Sequence, residues 1–178
     1  MPYQDLQHDP CSIARPVSLL GDRWTLLMLR QAFRGIRRFG EFQSSLGISR
    51  PLLAERLAQL VDAGILERRP YVSEQRTRHE YRLTQKGLDL YPVLMALRTW
   101  GDQYMAPDGP FVVYRHHDCS GVAEIHHVCS ECGQALSARD VTPEAGPGIE
   151  AALHRTEHPQ HPSREALSSD LGSGAPPS

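Results

Sequence analysis

Between two glycines, Gly47 and Gly64, the chain reads "ISRPLLAERLAQLVDA", and no other stretch narrows the fold as much. Ser49 offers an N-cap oxygen, and Pro51 suits a first helical turn, where its missing N–H has no carbonyl to meet. At about 100° per residue, Leu53, Leu57, Leu60 and Val61 gather on one face. Pro51, Glu55, Ala58, Gln59 and Asp62 face away, with Arg50 and Arg56 towards the flanks. The pattern predicts a helix of about three turns that buries a leucine stripe and shows a small, polar outer surface.

The flanking segments are punctuated in the same way. Residues 11–20 predict a first helix with Ile13, Val17 and Leu20 on one side; Pro16 implies either an early kink or a start near that residue. "RWTLLMLRQAF" predicts a second helix, closed by Gly35 where a left-handed residue is wanted. "RRFGEFQSSLG" holds a short third helix, Glu41 to Leu46, ended by Gly47. Beyond Gly64, "ILERRPYV" reads as a strand, "SEQRTR" as a turn and "HEYRL" as a returning strand with Tyr81 and Leu83 on one side. Thr84 then caps a long last helix reaching Met105 and bent at Pro92. Its Leu88, Tyr91, Leu94, Met95, Leu97 and Trp100 form a face more apolar than one small domain needs.

This element order is that of a mainly α (α+β) winged helix-turn-helix with a two-stranded wing and a long C-terminal helix, followed by a small Cys/His-rich segment. The expected division is an arm over 1–10, the winged-helix and dimerisation domain over 11–105, a zinc-ribbon-like extension over 106–145, and a disordered tail over 146–178, where Gly, Pro, Ser and His dominate. No internal repeat is evident in the sequence. No apolar run approaches a membrane span and the N-terminus lacks a signal-peptide segment, which favours a cytoplasmic protein.

The net charge of −2 hides an asymmetry. Residues 1–105 carry 15 Lys+Arg against 11 Asp+Glu, a balance of +4; residues 106–178 carry 4 against 10, a balance of −6. Lys86 is the only lysine, and arginine forks match phosphates and guanine edges as lysine does not. A short helix with a small outer face fits a major groove of double-stranded DNA. Ser49, Arg50, Pro51 and Ala54 stand at its leading end, with Arg50 expected on a base or phosphate. Arg56 is expected either on the DNA backbone or in a salt bridge with Glu41 or Glu55. Arg37 and Arg38 can reach flanking phosphates, and Arg76 and Arg78, in the hairpin turn, the adjacent minor groove. Arg68, Arg69 and Arg82 are expected to solvate the hairpin and pair with Glu67 and Glu80.

The run "CSIARPVSLLGDRWTLLMLRQAFRGIRRFGEFQSSLGISRPLLAERLAQLVDAGILERRPY", followed by "RHEYRLTQKGLDLYPVLMALRTWG", closely resembles HxlR-type transcriptional regulators of the MarR-like group, from about Cys11 to Met105. The resemblance implies a homodimer, paired through its first and last helices, that binds operator DNA and usually represses transcription. A two-fold dimer of this kind would set two recognition helices in successive major grooves of a near-palindromic site. The resemblance also makes Cys11 a candidate sensor of a small-molecule or oxidant effector. The other reading of Cys11 is a small buried residue at the dimer seam. Ser12 beside it is no second thiol, so a disulfide would have to form between subunits or with a small thiol.

The remaining cysteines lie in "HHDCSGVAEIHHVCSECG". Cys129 and Cys132 form a CxxC, and His117 with Cys119 could complete a tetrahedral structural zinc site, with His116, His126 and His127 as competitors. Reduced thiols without metal are the alternative. A zinc deaminase needs a ligand two residues before its glutamate, where Val122 stands before Glu124, and only four residues separate Glu124 from Cys129. The CxxC lacks a thioredoxin-like βαβ context, and no nucleophile elbow, phosphate loop or dinucleotide fingerprint is present. The chain is therefore not expected to be an enzyme. A winged-helix module for protein interaction, without DNA affinity, is the rival reading.

Overall fold

The computed structural model describes Leu6 and residues 9–73 and 76–149, the side chains of Ser73 and Arg76 excepted. Most of the arm expected over 1–10 and, beyond Ile149, the tail expected over 146–178 lie outside the described residues. The elements run α1 (Ala14–Leu20), α2 (Arg23–Phe33), α3 (Phe39–Leu46), α4 (Arg50–Asp62), β1 (Leu66–Ser73), β2 (Arg76–Leu83), α5 (Gln85–Leu88) and α6 (Tyr91–Met105). This is the winged helix-turn-helix expected from the sequence. Among the described residues no helix is long and apolar enough to cross a membrane.

Local chemistry sets the helix ends. The Asp22 carboxylate accepts the N–H groups of Trp24 and Thr25 at 2.9 and 3.3 Å and so opens α2. Glu41 reaches back to the N–H groups of Arg38 and Arg37 at 3.0 and 3.3 Å, which starts α3 two residues earlier than expected. Gly47, at φ +62°, makes the turn into α4, and Ile48 buries its side chain beneath that turn. At the other end of α4 the lone lysine is used internally: Lys86 Nζ donates to the Ala63 carbonyl at 2.8 Å.

Leu53, Leu57 and Leu60 of α4 are fully buried against Met28, Leu29, Phe42, Ile65 and Leu66. Val61, expected on the same stripe, lies at its edge and is half-buried. α1 begins at Ala14 rather than Cys11, which puts Pro16 in the first turn, where its missing N–H breaks no helical bond. The expected single, bent last helix is two helices. Thr84 caps α5, accepting from the Gly87 N–H at 3.1 Å while donating to the Gly64 carbonyl at 2.6 Å. The helix stops at Asp89, and Pro92 sits in the first turn of the separate α6.

The wing pairs Leu66 with Leu83 through to Ser73 with Arg76. The strands are longer than expected, so Arg76 and Arg78 occupy strand positions of β2 rather than a turn. Arg69 pairs with Glu67 at 2.6 Å and Arg82 with Glu80 at 2.6 Å. A bridge between Arg38 and Glu80, with the Tyr81 N–H donating to the Arg37 carbonyl at 2.7 Å, ties the start of α3 to the wing.

After α6 the chain makes two small knuckles with one backbone plan, a repeat that the sequence conceals. Bridges Arg115–Val122 and Val128–Ala135 close them. In the first, His116 N–H donates to Gly121 O and Ser120 N–H to His116 O, both at 2.9 Å. In the second, Cys129 N–H donates to Gln134 O and Gly133 N–H to Cys129 O, again both at 2.9 Å. Ser120 and Gly133 occupy the matching left-handed position, at φ +58° and +71°. None of residues 107–149 is buried. One compact unit ends at Val141; of the next, beginning at Thr142, residues 142–146 carry no regular structure and residues 147–149 are helical, with the Ile149 N–H donating to the Gly146 carbonyl at 3.0 Å.

Candidate nucleic-acid interface

The buried leucines of α4 leave Ser49, Arg50, Pro51 and Ala54 exposed at its N-terminal end. Ser49 is the N-cap residue, yet its hydroxyl makes no capping bond. Pro51 lies in the first turn, and the free backbone N–H groups there give this end a partial positive charge. The Arg50 guanidinium lies 5.4 Å from the centre of the Phe39 ring, which steadies it across the turn while leaving it exposed. Glu55, on the next turn of α4, is engaged by Gln59 at 3.2 Å and Arg56 at 3.6 Å.

Arg56 itself is turned inward. Its side chain is 23% exposed, its Nε lies 3.4 Å from the Asp22 carboxylate and its terminal nitrogen donates to Gln59 at 2.7 Å. Of the two roles expected for Arg56, the structure favours the intramolecular one, and its partners are Asp22 and Glu55 rather than Glu41. Asp22 thus caps α2 and holds α4 with the same carboxylate, a link the sequence hides because 33 residues intervene between positions 22 and 56.

Arg37 and Arg38 are exposed beside the wing. Arg38 stacks 5.0 Å from the centre of the Tyr71 ring, and Tyr71 pairs across the ribbon with Arg78. Register puts positions 76 and 78 on the strand face that also carries position 71. The structure therefore brings Arg38 to the wing face that carries Tyr71 and position 78, places Arg37 by the base of the wing, leaves Arg50 exposed at the leading end of α4 and withdraws Arg56. Tyr71, as the platform for Arg38, had no sequence signal beyond its place in a strand.

Cys11 is exposed, two residues before the α1 N-cap, and its sulfur accepts the Ile13 N–H at 3.4 Å. Of the expected metal ligands, Cys129 and Cys132 share the second knuckle. The N–H of Cys132, then that of Glu131 and the Cys132 thiol, hold the Cys129 thiol below its ordinary range. In the first knuckle it is His116, not His117, whose Nδ1 meets the Cys119 sulfur, at 3.3 Å. Among the described residues no three His, Cys, Asp or Glu side chains are gathered as a metal site.

A cavity of about 430 Å³ opens between α2, α6 and Tyr114, walled by Leu26, Phe33, Leu94 and Met95, with Arg30, Arg34 and Arg98 among its polar groups. Apolar walls with cationic groups and no acid in the lining suit an apolar anion.

A family model described as HxlR-like helix-turn-helix matches residues 19–109. An uncharacterized HTH-type transcriptional regulator of Mycobacterium tuberculosis, Rv3095, is 47% identical over 156 residues, covering 86% of this chain and 98% of that one. An uncharacterized HTH-type transcriptional regulator of Synechocystis, sll1512, is 40% identical over 96 residues, 53% of this chain and 70% of its own. The crystal structure of PA1607 superposes with a TM-score of 0.71 at 38% identity, covering 79% of this chain and 98% of that one. Rv3095 and PA1607 thus match well beyond the winged helix, whereas sll1512 matches little more than that.

Proposed function

The chain belongs to the HxlR-like helix-turn-helix family and is a DNA-binding transcriptional regulator, and from that premise we propose that it acts as a homodimer repressing transcription at a near-palindromic operator. The observation that carries this reading is the exposed end of α4, where Ser49, Arg50, Pro51 and Ala54 form a small, cationic tip on a helix anchored by three buried leucines. A tip of that size and charge enters a major groove, while Arg37, Arg38 and the wing positions Arg76 and Arg78 meet the flanking strands.

Helix α6 supports the dimer. At about 100° per residue, Tyr91, Leu94, Met95, Arg98 and Asp102 share the half-buried inner face. Val93, Leu97, Trp100 and Tyr104 form an outer stripe, each at least half exposed. Exposed Ile13 and Val17 on and beside α1 add to the uncovered apolar surface. Such a stripe on a water-soluble surface favours a partner, and a second copy supplies an identical one by two-fold symmetry. Two recognition helices about 34 Å apart would then read two half-sites one helical turn apart. A dimer so seated blocks other proteins from the same grooves, which gives repression by occupancy.

The test is to sequence the genomic DNA fragments that purified protein retains at physiological salt. Enrichment of one motif with two related half-sites is expected. If neither reduced nor oxidised protein prefers any fragment, the same surface would instead be a protein-docking face.

A further inference from the structure

We propose that the extension binds one zinc ion per chain through His116, Cys119, Cys129 and Cys132. The inference is independent of the DNA-binding role and rests on the repeated knuckle. The repeat aligns His116-x-x-Cys119 with Cys129-x-x-Cys132 position by position, so the same turn presents two donor side chains twice. His117 aligns with Ser130, at a position that carries no donor in the second knuckle.

The first pair already has the spacing of a metal-bound pair. Zinc bond lengths of about 2.3 Å to sulfur and 2.0–2.1 Å to nitrogen give a tetrahedral N···S edge of about 3.5 Å, and His116 Nδ1 lies 3.3 Å from Cys119 Sγ. The other ring nitrogen, Nε2, lies 3.7 Å from the Asp118 carboxylate, beyond hydrogen-bond distance but on the side from which an outer carboxylate can orient a metal-ligating imidazole. Ser120 holds a left-handed conformation that glycine adopts freely in the second knuckle, so the first turn keeps its shape against a local preference. With no buried residue between 107 and 149, the extension has no apolar core to order it, and a metal supplies what such a core would.

The two pairs stand apart in the structure. Closing them onto one ion would require the link at residues 123–127 to bend. That movement gives up the 3.4 Å bond from Arg98 to the Ala123 carbonyl and the exposed His126–Glu124 pair. Three thiols release their protons to solvent as the ion binds, and three sulfurs with one nitrogen favour zinc over the harder magnesium and calcium.

The experiment titrates cobalt(II), as a coloured substitute for zinc, into the reduced, chelator-washed full chain. The expected result is one cobalt per chain, with the intense visible bands of tetrahedral coordination and thiolate charge transfer, both erased by equimolar zinc. His116→Ala should weaken cobalt binding by at least about 100-fold, the upper end of what loss of a mere supporting group causes, whereas His117→Ala should leave it unchanged. Unaltered helical circular dichroism shows that each variant keeps its winged helix. Absence of the tetrahedral spectrum, one cobalt per two chains, or loss with His117→Ala but not His116→Ala would overturn the assignment.

Discussion

Arg50 and Arg56 lie less than two turns apart on one helix, and the structure gives them opposite fates. Arg50 is exposed at the tip, whereas Arg56 is held by Asp22, Gln59 and Glu55. Replacing each with alanine separates DNA contact from internal support. If Arg50 meets a phosphate, a dimer loses two contacts, and the slope of log affinity against log salt flattens by about 2 × 0.9, or roughly 1.8. Between about 50 and 200 mM salt, that slope change makes the variant's loss of affinity smaller by about 10-fold. If Arg50 reads a base, the slope changes little, and affinity for the selected site falls by about 1–3 kcal/mol per half-site while nonspecific binding is spared. Arg56→Ala should do neither. Its partly exposed ion pair and its side-chain hydrogen bond contribute about 1 kcal/mol to folding, visible as a lower urea midpoint with an unchanged salt slope. Fluorescence anisotropy on labelled duplex, with urea melts in parallel, measures both. A flattened slope for Arg56→Ala beside a wild-type profile for Arg50→Ala would refute the assignment of which arginine faces the DNA.

Three other perturbations follow from the packing. A Cβ at Gly87 would intrude on the Ile65 carbonyl and come within 2.9 Å of Leu83 Cδ2, so Gly87→Ala should destabilise the chain by about 1–3 kcal/mol in a urea melt; an unchanged midpoint would show that the α5–wing junction yields freely. Leu97→Asp places a charge on the outer stripe of α6 and should convert the proposed dimer to monomer in sedimentation analysis while preserving helical content, because Leu97 is 52% exposed within the chain. Oxidation joining Cys11 thiols of two chains removes two protons and two electrons, which a thiol oxidant takes up. A covalent dimer on a non-reducing gel, lost in Cys11→Ser, would support Cys11 as the sensor, and a dimer that survives this substitution would move that role elsewhere.

The DNA-reading half of the fold is legible in the sequence because its signals are local. Gly47 and Gly64 mark real ends of helices, the leucine stripe of α4 is the buried one, and the wing begins where the pattern changes to strand. What escapes is set by contacts across long separations or by backbone shape alone. Thr84 and Pro92 are compatible with one bent helix or with the starts of two, and the structure shows two, with α5 ending at Leu88 and Pro92 in the first turn of α6. Arg56 shows ordinary helical amphipathicity; only the fold brings Asp22 to it. The knuckles share hydrogen bonds but little sequence, since "HHDCSG" and "CSECGQ" agree chiefly in placing a donor at the first and fourth positions. Sequence spacing therefore favoured His117 as easily as His116, and the backbone register separates them.

Helix α6 connects these parts because its two faces serve different neighbours. The outer stripe of Val93, Leu97, Trp100 and Tyr104 sets, in the proposed dimer, how far apart the two recognition helices stand. On the inner face, Arg98 stacks 5.1 Å from the Tyr114 ring, lies 3.4 Å from Asp102 and donates to the Ala123 carbonyl at 3.4 Å, so this guanidinium ties the extension to α6 at two points. The same group lines the apolar cavity against α2. A rigid helix cannot turn one face without turning the other, so a change in what Arg98 contacts is also a change in the dimer stripe. In the proposed dimer, operator spacing would be sensitive to such shifts, because a rotated helix pair no longer meets two half-sites one helical turn apart at once.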